Sequence, residues 1–259
     1  WSCLVGSEMC IRDSIITMSR LEAKIRVPLA KNILRAMEAI NEEGILHWDS
    51  DGLSTMLVDG NRFKMLRIVA PADAFKSYSF VGINPIKVGV IFSRMGQIIK
   101  TLTAKDELVF TYENDRFYLQ ANGIQQNIKL LRLDLMHQVD SWPQVNHTYD
   151  ATIPGKAAND FIKTSGKNLT FIIKSKNQDI QWNTGSGDEA ISWVPLEQTV
   201  TGPIGESQFT TEEVKSVLTA APKEELVLRG GNNAAIEFQW TVENISMTAL
   251  VAPRKWINA

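Results

Sequence analysis

Two kinds of hydrophobic periodicity alternate along the chain, and they do so twice in the same order. The apolar residues Leu29, Ile33, Leu34, Met37 and Ile40 recur at spacings of three and four, which predicts an amphipathic helix. Short runs in which every second residue is apolar, divided by Asp, Asn and Gly turns, predict antiparallel strands. Because the same order of elements occurs in both halves, the pattern predicts two pseudo-symmetric domains.

The predicted first half starts with a strand and a helix that should end near Gly44. Its elements are strand 22–27, the helix from 29, strands 45–48, 53–58, 63–69 and 86–90, helix 92–102, and strands 108–112, 117–120 and 127–135. The second half has strand 151–153, helix 156–165, strands 169–174, 180–182 and 190–194, helix 210–221, and strands 225–229, 235–242 and 246–251. This order predicts an α+β fold of two similar domains, each an antiparallel sheet with two helices on one face.

A proline-bearing segment without regular pattern, residues 134–149, separates the two halves. We therefore predict an N-terminal domain over 18–133, an interdomain connecting loop over 134–149 and a C-terminal domain over 150–259. Residues 1–17 lack the continuous apolar segment of a signal peptide and resemble translated vector sequence. We expect them to be a non-native leader, with Met18 as the true start.

Composition narrows the class of protein. The 259 residues are 44% hydrophobic and 22% charged, as in a globular protein, and no apolar run is long enough to span a membrane. The net charge of -2 neither indicates nor excludes a nucleic-acid partner, so the distribution of cations matters more. Both cysteines, Cys3 and Cys10, lie in the leader, which fits a reducing compartment and excludes a disulfide framework elsewhere.

Three signals of catalysis or metal binding fail in context. Asp49–Gly52 begins like a calcium loop, but Gly60 stands where a bidentate Glu is needed, so a plain turn is favoured. The glycine-rich segment 185–190 is followed by a strand-like run rather than the helix of a dinucleotide site. The three histidines lack metal-ligand spacing, and no nucleophile motif is present. The sequence predicts no catalytic residue, no metal and no cofactor.

Basic and polar side chains occupy the outward face of all four predicted helices. Any one such face is typical of a solvated helix surface. If all four helices cover the same side of the sheets, the faces form one surface that could contact phosphates without reading base sequence. These residues are Lys31, Arg35, Arg94, Gln97, Lys100, Lys156, Asn159, Lys163, Lys215 and Thr219.

From about Leu21 to Ile257 the chain resembles the sliding clamps of the proliferating cell nuclear antigen (PCNA) family, archaeal type. The resemblance is carried by four segments in order: EGILHWDSDGLSTMLVDGNRFKMLRIVAP, KVGVIFSRMGQIIKTLTAKDELVF, LDLMHQVDSWPQV and TALVAPRK. It implies a head-to-tail ring of three subunits that encircles duplex DNA, with the helices lining the hole. It also implies a processivity factor in DNA replication and repair that performs no chemistry itself.

The resemblance further implies a hydrophobic pocket that binds short peptides of DNA polymerase, the clamp loader, flap endonuclease and DNA ligase. The matching positions are Val58, Asp59, Arg62, Phe63, Val139, Trp142, Pro143, Ala235, Leu250, Ala252 and Pro253. Val58, Arg62 and Leu250 stand where the family usually has Met, His and Tyr, so partner preference is open. Trp142 has little core to join in a polar connector, and we expect it to be an anchor.

Ring closure in the family comes from edge strands, which matches Ile128 and Leu130 in one half with Ile180 and Trp182 in the other. Two alternatives remain open: a subunit of a heterotrimeric or checkpoint-type clamp, and a hydrolase with no recognisable motif. The expected location is the cytoplasm, associated with an archaeal nucleoid, or the nucleus of a eukaryote.

Overall fold

A computed structural model of the chain describes residues 19–164, 170–176, 179–185, 190–203 and 205–254. The predicted leader, Leu169 and the segment 186–189 of the glycine-rich motif lie outside these residues. The first half contains β1 (Arg20–Arg26), α1 (Val27–Glu38), β2 (Glu43–Asp49), β3 (Gly52–Val58), β4 (Lys64–Pro71), β5 (Ser77–Val81), β6 (Ile86–Ile91), α2 (Phe92–Thr101), β7 (Glu107–Glu113), β8 (Arg116–Ala121) and β9 (Ile124–Ile128).

The second half repeats this order element for element. It contains β10 (Tyr149–Pro154), α3 (Gly155–Thr164), β11 (Thr170–Lys176), β12 (Asp179–Thr184), β13 (Ile191–Trp193), β14 (Thr199–Thr201), β15 (Gly205–Thr210), α4 (Thr211–Ala220), β16 (Glu225–Gly230), β17 (Ile236–Val242) and β18 (Ile245–Val251). Within the described residues, each half therefore consists of one strand, a helix, five strands, a second helix and three strands. The predicted repeat is present in the fold.

The strands form three antiparallel sheets. Strands β5-β1-β7-β8-β9 form one sheet, β13-β12-β11-β15 form a second, and the third has the order β14-β10-β16-β17-β18-β4-β3-β2-β6. The nine-stranded sheet arises because β18 of the second half pairs with β4 of the first, from Ser246 opposite Val69 to Val251 opposite Lys64. We call this β18–β4 pairing the seam.

The four helices pack side by side in the order α2-α1-α4-α3, and we call them the helix row. Within each half the two helices contact one another, and α1 and α4 make the contact between halves. At that junction Lys64 Nζ lies 2.8 Å from Glu213 Oε2 and donates to Ser216 Oγ at 3.1 Å. Arg26 and Glu243 form a second ion pair between the halves. The row and the seam together join the halves.

The core of each half is centred on aromatic rings. In the first half Trp48, which is fully buried, packs on Phe75, Phe110 and Phe117 with ring centroids 5.3 to 6.5 Å apart. In the second, Trp182 and Trp193 meet edge to face at 5.2 Å. Tilted and edge-on pairs are the favoured arrangements of aromatic rings, so these contacts add to the burial of apolar surface. Among the described helices, none has the length and apolar character needed to cross a bilayer.

Two predicted boundaries are wrong. Helix α1 ends at Glu38, and Gly44 lies inside β2, where a Cβ would overlap the side chains of Leu57 and Phe92. Gly44 is therefore required for close packing rather than for stopping the helix. The predicted strand 127–135 is also divided, because β9 ends at Ile128 and Leu133–Leu135 forms a 3-10 turn.

The sequence prediction also missed strands β5, β14 and β15. In β15 the residues that face inward are Gly205, Ser207 and Phe209, so the strand shows no apolar alternation. Ser207 is buried, and its hydroxyl is satisfied there: Oγ donates to Gly231 O at 2.9 Å and accepts from Ala234 N at 3.0 Å. A hydroxyl satisfied in this way can occupy a core position that the pattern assigns to an apolar residue.

Candidate functional site

The ends of four neighbouring strands of the nine-stranded sheet lie side by side, next to the connector. Val58 ends β3, Phe63 precedes β4, Ala235 precedes β17, and β18 runs into Ala252 and Pro253. Strand pairing places these ends next to one another, and Ala252 N donates to Phe63 O at 2.8 Å. We call this surface, together with Leu250, the candidate groove. Phe63 is 50% exposed there and so offers apolar surface to a ligand.

The turn between β3 and β4 is shaped by Asp59. Its Oδ1 accepts from Lys64 N at 2.7 Å, and its carbonyl accepts from Arg62 N at 3.0 Å. Arg62 has a positive φ of 60°, which is uncommon for a residue other than glycine. Asp59 is buried, whereas Arg62 is exposed. Of these two predicted pocket residues, Asp59 holds the turn and Arg62 presents its side chain to solvent.

Trp142 is not among the described residues that form the core or pack against it, in agreement with the expectation that it has little core to join, but its side chain contacts the sheet. Its Nε1 donates to Glu237 Oε2 at 3.0 Å, and the guanidinium carbon of Arg67 lies 5.6 Å from the centroid of its ring. Glu237 is on β17 and Arg67 is on β4, with β18 between them. The indole therefore lies across β18, in which Leu250 stands directly opposite Glu237 and Thr248 stands opposite Arg67. Pro143, next in the chain, is half-buried.

Sequence analysis missed the partners of Trp142. Glu237 is only 5% exposed, and its other oxygen accepts from Gln239 Nε2 at 2.5 Å. Arg229 Nη1 lies 3.8 Å from the same carboxylate, while its Nε is 2.8 Å from Asp150. An acidic residue inside the apolar strand 235–242 is a signal that could have drawn attention to this position.

A cavity of about 210 Å³ lies beneath the first part of the connector. Val58 and Val139, both predicted as pocket residues, line it together with Met56, Met136 and His47. Burial, and to a lesser extent the charge of Lys87, lowers the pKa of His47, so this histidine is neutral in the folded chain at neutral pH. The cavity wall therefore combines apolar side chains and an uncharged imidazole with the charged residues Glu43, Lys87 and Asp140.

The connector is fixed to the body at its two ends. Leu131 N donates to Gly89 O at 2.8 Å, and Thr148 N donates to Gly230 O at 2.7 Å. At the first end, a Cβ on Gly89 would overlap Met136 and would stand 3.2 Å from Leu131 O. This close approach explains the glycine in β6.

The cations predicted on the helix row are in three different situations. Lys31 Nζ donates to Leu102 O at 2.7 Å, at the end of α2, and Asn159 Nδ2 makes the corresponding bond to Leu218 O at 2.9 Å in the second half. Lys163 and Lys215 are paired with Asp160 and Glu212 on their own helices, at 3.2 and 3.4 Å. Among the described residues of the row, the exposed or half-exposed cations without such a pair are Arg35, Arg94, Lys100 and Lys156.

Two polar members of the predicted face also bond to neighbours. Gln97 Oε1 accepts from Gln126 Nε2 at 3.0 Å, which ties α2 to β9. Thr219 Oγ1 donates to Lys215 O at 2.8 Å, within α4. All ten predicted residues lie on the helix row, and those that tie helices together are the least free to contact a ligand.

The free sheet edges are only partly those predicted. Ile128 lies on β9, an edge strand, with Leu130 just beyond it. Ile180 and Trp182 lie on β12, which pairs with β11 and β13, and both side chains are fully buried. Their assignment to an edge is therefore wrong. The terminal strands of this four-stranded sheet are β13 and β15. On β13, Ile191 is exposed and is followed by exposed Val194 and Leu196.

The segment that resembles a calcium loop is a turn, as favoured by its sequence. Asp49 Oδ1 accepts from Asp51 N at 2.9 Å and from Gly52 N at 3.2 Å, between β2 and β3. This carboxylate is engaged in shaping the turn. Within the described ranges, no cluster of three or more His, Cys, Asp or Glu side chains could hold a metal ion.

Similarity to known proteins agrees with this architecture. No family model matches the chain. It is 23% identical over 252 residues to a DNA polymerase sliding clamp of Methanoculleus marisnigri, covering 90% of this chain and 98% of that one. A structure of A. fulgidus PCNA with the C-terminal region of FEN-1 bound superposes with a TM-score of 0.82 at 18% identity, over 91% and 98% of the two chains. A PCNA2-PCNA3 complex from Sulfolobus tokodaii gives 0.79 at 18%, over 90% and 99%.

Proposed function

We propose that this chain, which belongs to the PCNA family of DNA sliding clamps, closes with two further copies into a ring around duplex DNA and there tethers replication and repair enzymes. The number three follows from the family. The ring has no catalytic role in this proposal. Its partners would be DNA polymerase, the clamp loader, flap endonuclease and DNA ligase, in an archaeal nucleoid or a eukaryotic nucleus.

The proposal is supported most directly by two unpaired strand edges that correspond to the two strands of the seam. Within the chain, β18 at the end of a five-stranded set pairs with β4 at the end of a four-stranded set. The repeat makes β9 the counterpart of β18 and β13 the counterpart of β4, and each of these has a free edge. A β9 edge of one copy that pairs with the β13 edge of the next would repeat the seam between subunits. This contact is head-to-tail, so it generates a closed ring if the rotation closes.

The side chains on these two edges support the same contact. Ile124 on β9 is 56% exposed, Ile191 and Val194 are also exposed, and Leu196 is fully exposed. Exposed apolar residues on an unpaired edge favour aggregation unless another chain covers them. Pairing of β9 with β13 would cover both groups.

The helix row would then face the hole of the ring, with Arg35, Arg94, Lys100 and Lys156 as its contacts with DNA phosphates. Such contacts are independent of base sequence and weaken as salt concentration rises, which suits a ring that must slide. Topological linkage would hold the ring on the duplex, and tethering would raise the local concentration of each partner enzyme at its template.

The candidate groove would bind the partners. Its exposed Phe63, its half-buried alanines and proline and the wall formed by Trp142 offer an apolar surface for a short peptide. The FEN-1 segment bound to A. fulgidus PCNA gives a precedent in a chain of the same fold. That precedent supports a peptide, rather than a small molecule, as the occupant.

Retention on circular DNA tests the ring. After treatment with a clamp loader, the protein should remain on a nicked circular plasmid during gel filtration and should leave the same plasmid after one double-strand cut. Equal retention on both forms would contradict topological linkage. A chain that stays monomeric by light scattering, and closes only with unlike copies, would instead support the heterotrimeric alternative.

A further inference from the structure

The middle of the connector depends on side chains for its attachment. In the fully described segment 132–147, backbone-to-backbone hydrogen bonds are local, such as Met136 N to Leu133 O and His147 N to Val145 O. Within 137–146, Trp142 is the residue whose side chain hydrogen-bonds the sheet. Without that bond, the sixteen residues 132–147 would form a tether held at its ends, where Leu131 bonds to Gly89 and Thr148 to Gly230.

Loss of the hydrogen bond between Trp142 and Glu237 would destabilise the folded chain. Glu237 is a carboxylate with 5% of its surface exposed, and it accepts from Trp142 Nε1 and Gln239 Nε2. A buried carboxylate is tolerated when donors satisfy it, and hydrogen bonds to charged acceptors are stronger than neutral ones. Removal of the indole N–H would leave that oxygen short of a donor.

Arg67 holds the other side of the same ring. Its guanidinium carbon lies 5.6 Å from the indole centroid, within the range of a cation–π contact. Since Glu237 and Arg67 stand on the two strands that flank β18, the indole is fixed across β18, the strand that carries Leu250 of the candidate groove. The position of one groove wall is therefore set by two residues outside the predicted pocket.

We propose that Glu237 and Arg67 are positioning residues of the partner groove, which act by holding Trp142 as a rigid wall for an incoming peptide. The inference rests on the proposed function. Because the indole is already held in place, peptide binding does not have to order the connector, and less entropy is lost on binding. The peptide that fits is one with an apolar side chain to place against the indole.

The first test needs no peptide. Hydrogen exchange of the amides in 137–146 should be faster in Glu237→Leu and in Trp142→Phe than in the parent chain. Glu237→Gln should remain close to the parent, because its amide oxygen still accepts from Nε1. Glu225→Leu, which alters an exposed glutamate at the start of β16, is the matched control and should change nothing. Unchanged exchange in Glu237→Leu would overturn the proposal.

The second test uses the C-terminal FEN-1 peptide of A. fulgidus as a probe. Glu237→Leu and Trp142→Phe should each weaken its binding by about tenfold, the loss expected for one charged hydrogen bond. In the Trp142→Phe background, Glu237→Leu should have no further effect, because the coupling runs through the indole N–H. Full additivity of the two losses would overturn the positioning role. Hydrogen exchange could be faster in Glu237→Leu as expected while the parent chain does not bind the FEN-1 peptide. That result would contradict the proposed function for this peptide, but it would support the role of Glu237 in holding Trp142.

Discussion

Lys31 and Arg35 lie one helical turn apart on α1 but use their charges differently. The Lys31 ammonium donates to Leu102 O at the C-terminal end of α2, whereas Arg35 is exposed. A cation at a helix C-terminus satisfies a free carbonyl and interacts favourably with the helix dipole. Lys31 should therefore contribute to stability, and Arg35 to the binding of DNA.

Replacement of each residue by methionine tests this division. Lys31→Met should lower the free energy of unfolding by about 1 kcal/mol, as expected for a hydrogen bond with a helix-dipole component. Arg35→Met is the matched control and should change stability by less than about 0.5 kcal/mol. Urea denaturation monitored by circular dichroism measures both. Equal stabilities of the two variants would contradict the structural role of Lys31.

At this scale the sequence predicted which residues share the helices but not the contacts that their side chains make. The ten residues predicted from helical spacing all lie on the helix row, because a 3.6-residue period determines which side chains share a face. It could not show that Lys31 and Asn159 are bound to carbonyls of the neighbouring helix, since those partners are 71 and 59 residues away. The bond between Trp142 and Glu237 spans 95 residues and was missed for the same reason.

At the scale of elements, the free edges of the sheets differ in their suitability for pairing with another chain. The five-stranded sheet has two edges, β5 and β9, and each carries one aliphatic residue with 56% of its surface exposed, Val81 and Ile124 respectively. Only β9 is the counterpart of β18, which pairs across the seam. The repeat therefore distinguishes two edges that look alike in exposure.

Glutamate substitutions on β9 and on β5 test which of the two edges closes the ring. Ile124→Glu should shift the protein from trimer to monomer in light scattering, because a charge would be buried at the β9–β13 contact without a partner. Val81→Glu makes the same change on β5 and should leave the trimer intact. A trimer that resists Ile124→Glu, or one that dissociates with Val81→Glu, would contradict ring closure through β9.

The helices were predicted better than the strands, for a physical reason. Each helix has an apolar stripe that packs on a sheet, so its period is visible in the sequence. Strands β5 and β14 are short edge strands with half-exposed side chains, and β15 turns a glycine and a serine inward. Their identity is determined by pairing partners elsewhere in the chain, which periodicity does not record. The resemblance placed the free edge one strand too early, at β12 instead of β13.

In the whole molecule, positive charge is distributed unequally along the helix row. Helices α1 and α2 carry four cationic side chains against one carboxylate: Lys31, Arg35, Arg94 and Lys100 against Glu38. Helices α3 and α4 carry three of each: Lys156, Lys163 and Lys215 against Asp160, Glu212 and Glu213. If the row faces DNA, the first half of each chain should supply most of the attraction to phosphate.

Charge reversal in each half tests this asymmetry. Lys100→Glu should shorten retention on circular DNA and lower the slope of log affinity against log salt by up to about one for each phosphate that the variant no longer neutralises. Lys163→Glu should have a smaller effect, because Asp160 lies 3.2 Å from the lysine and already offsets part of its charge. Binding of the FEN-1 peptide should be unchanged in both variants, since the groove residues lie on the strands of the nine-stranded sheet and in the connector. Equal losses from the two reversals would mean that both halves contact the duplex alike, and a parallel loss of peptide binding would indicate damaged folding.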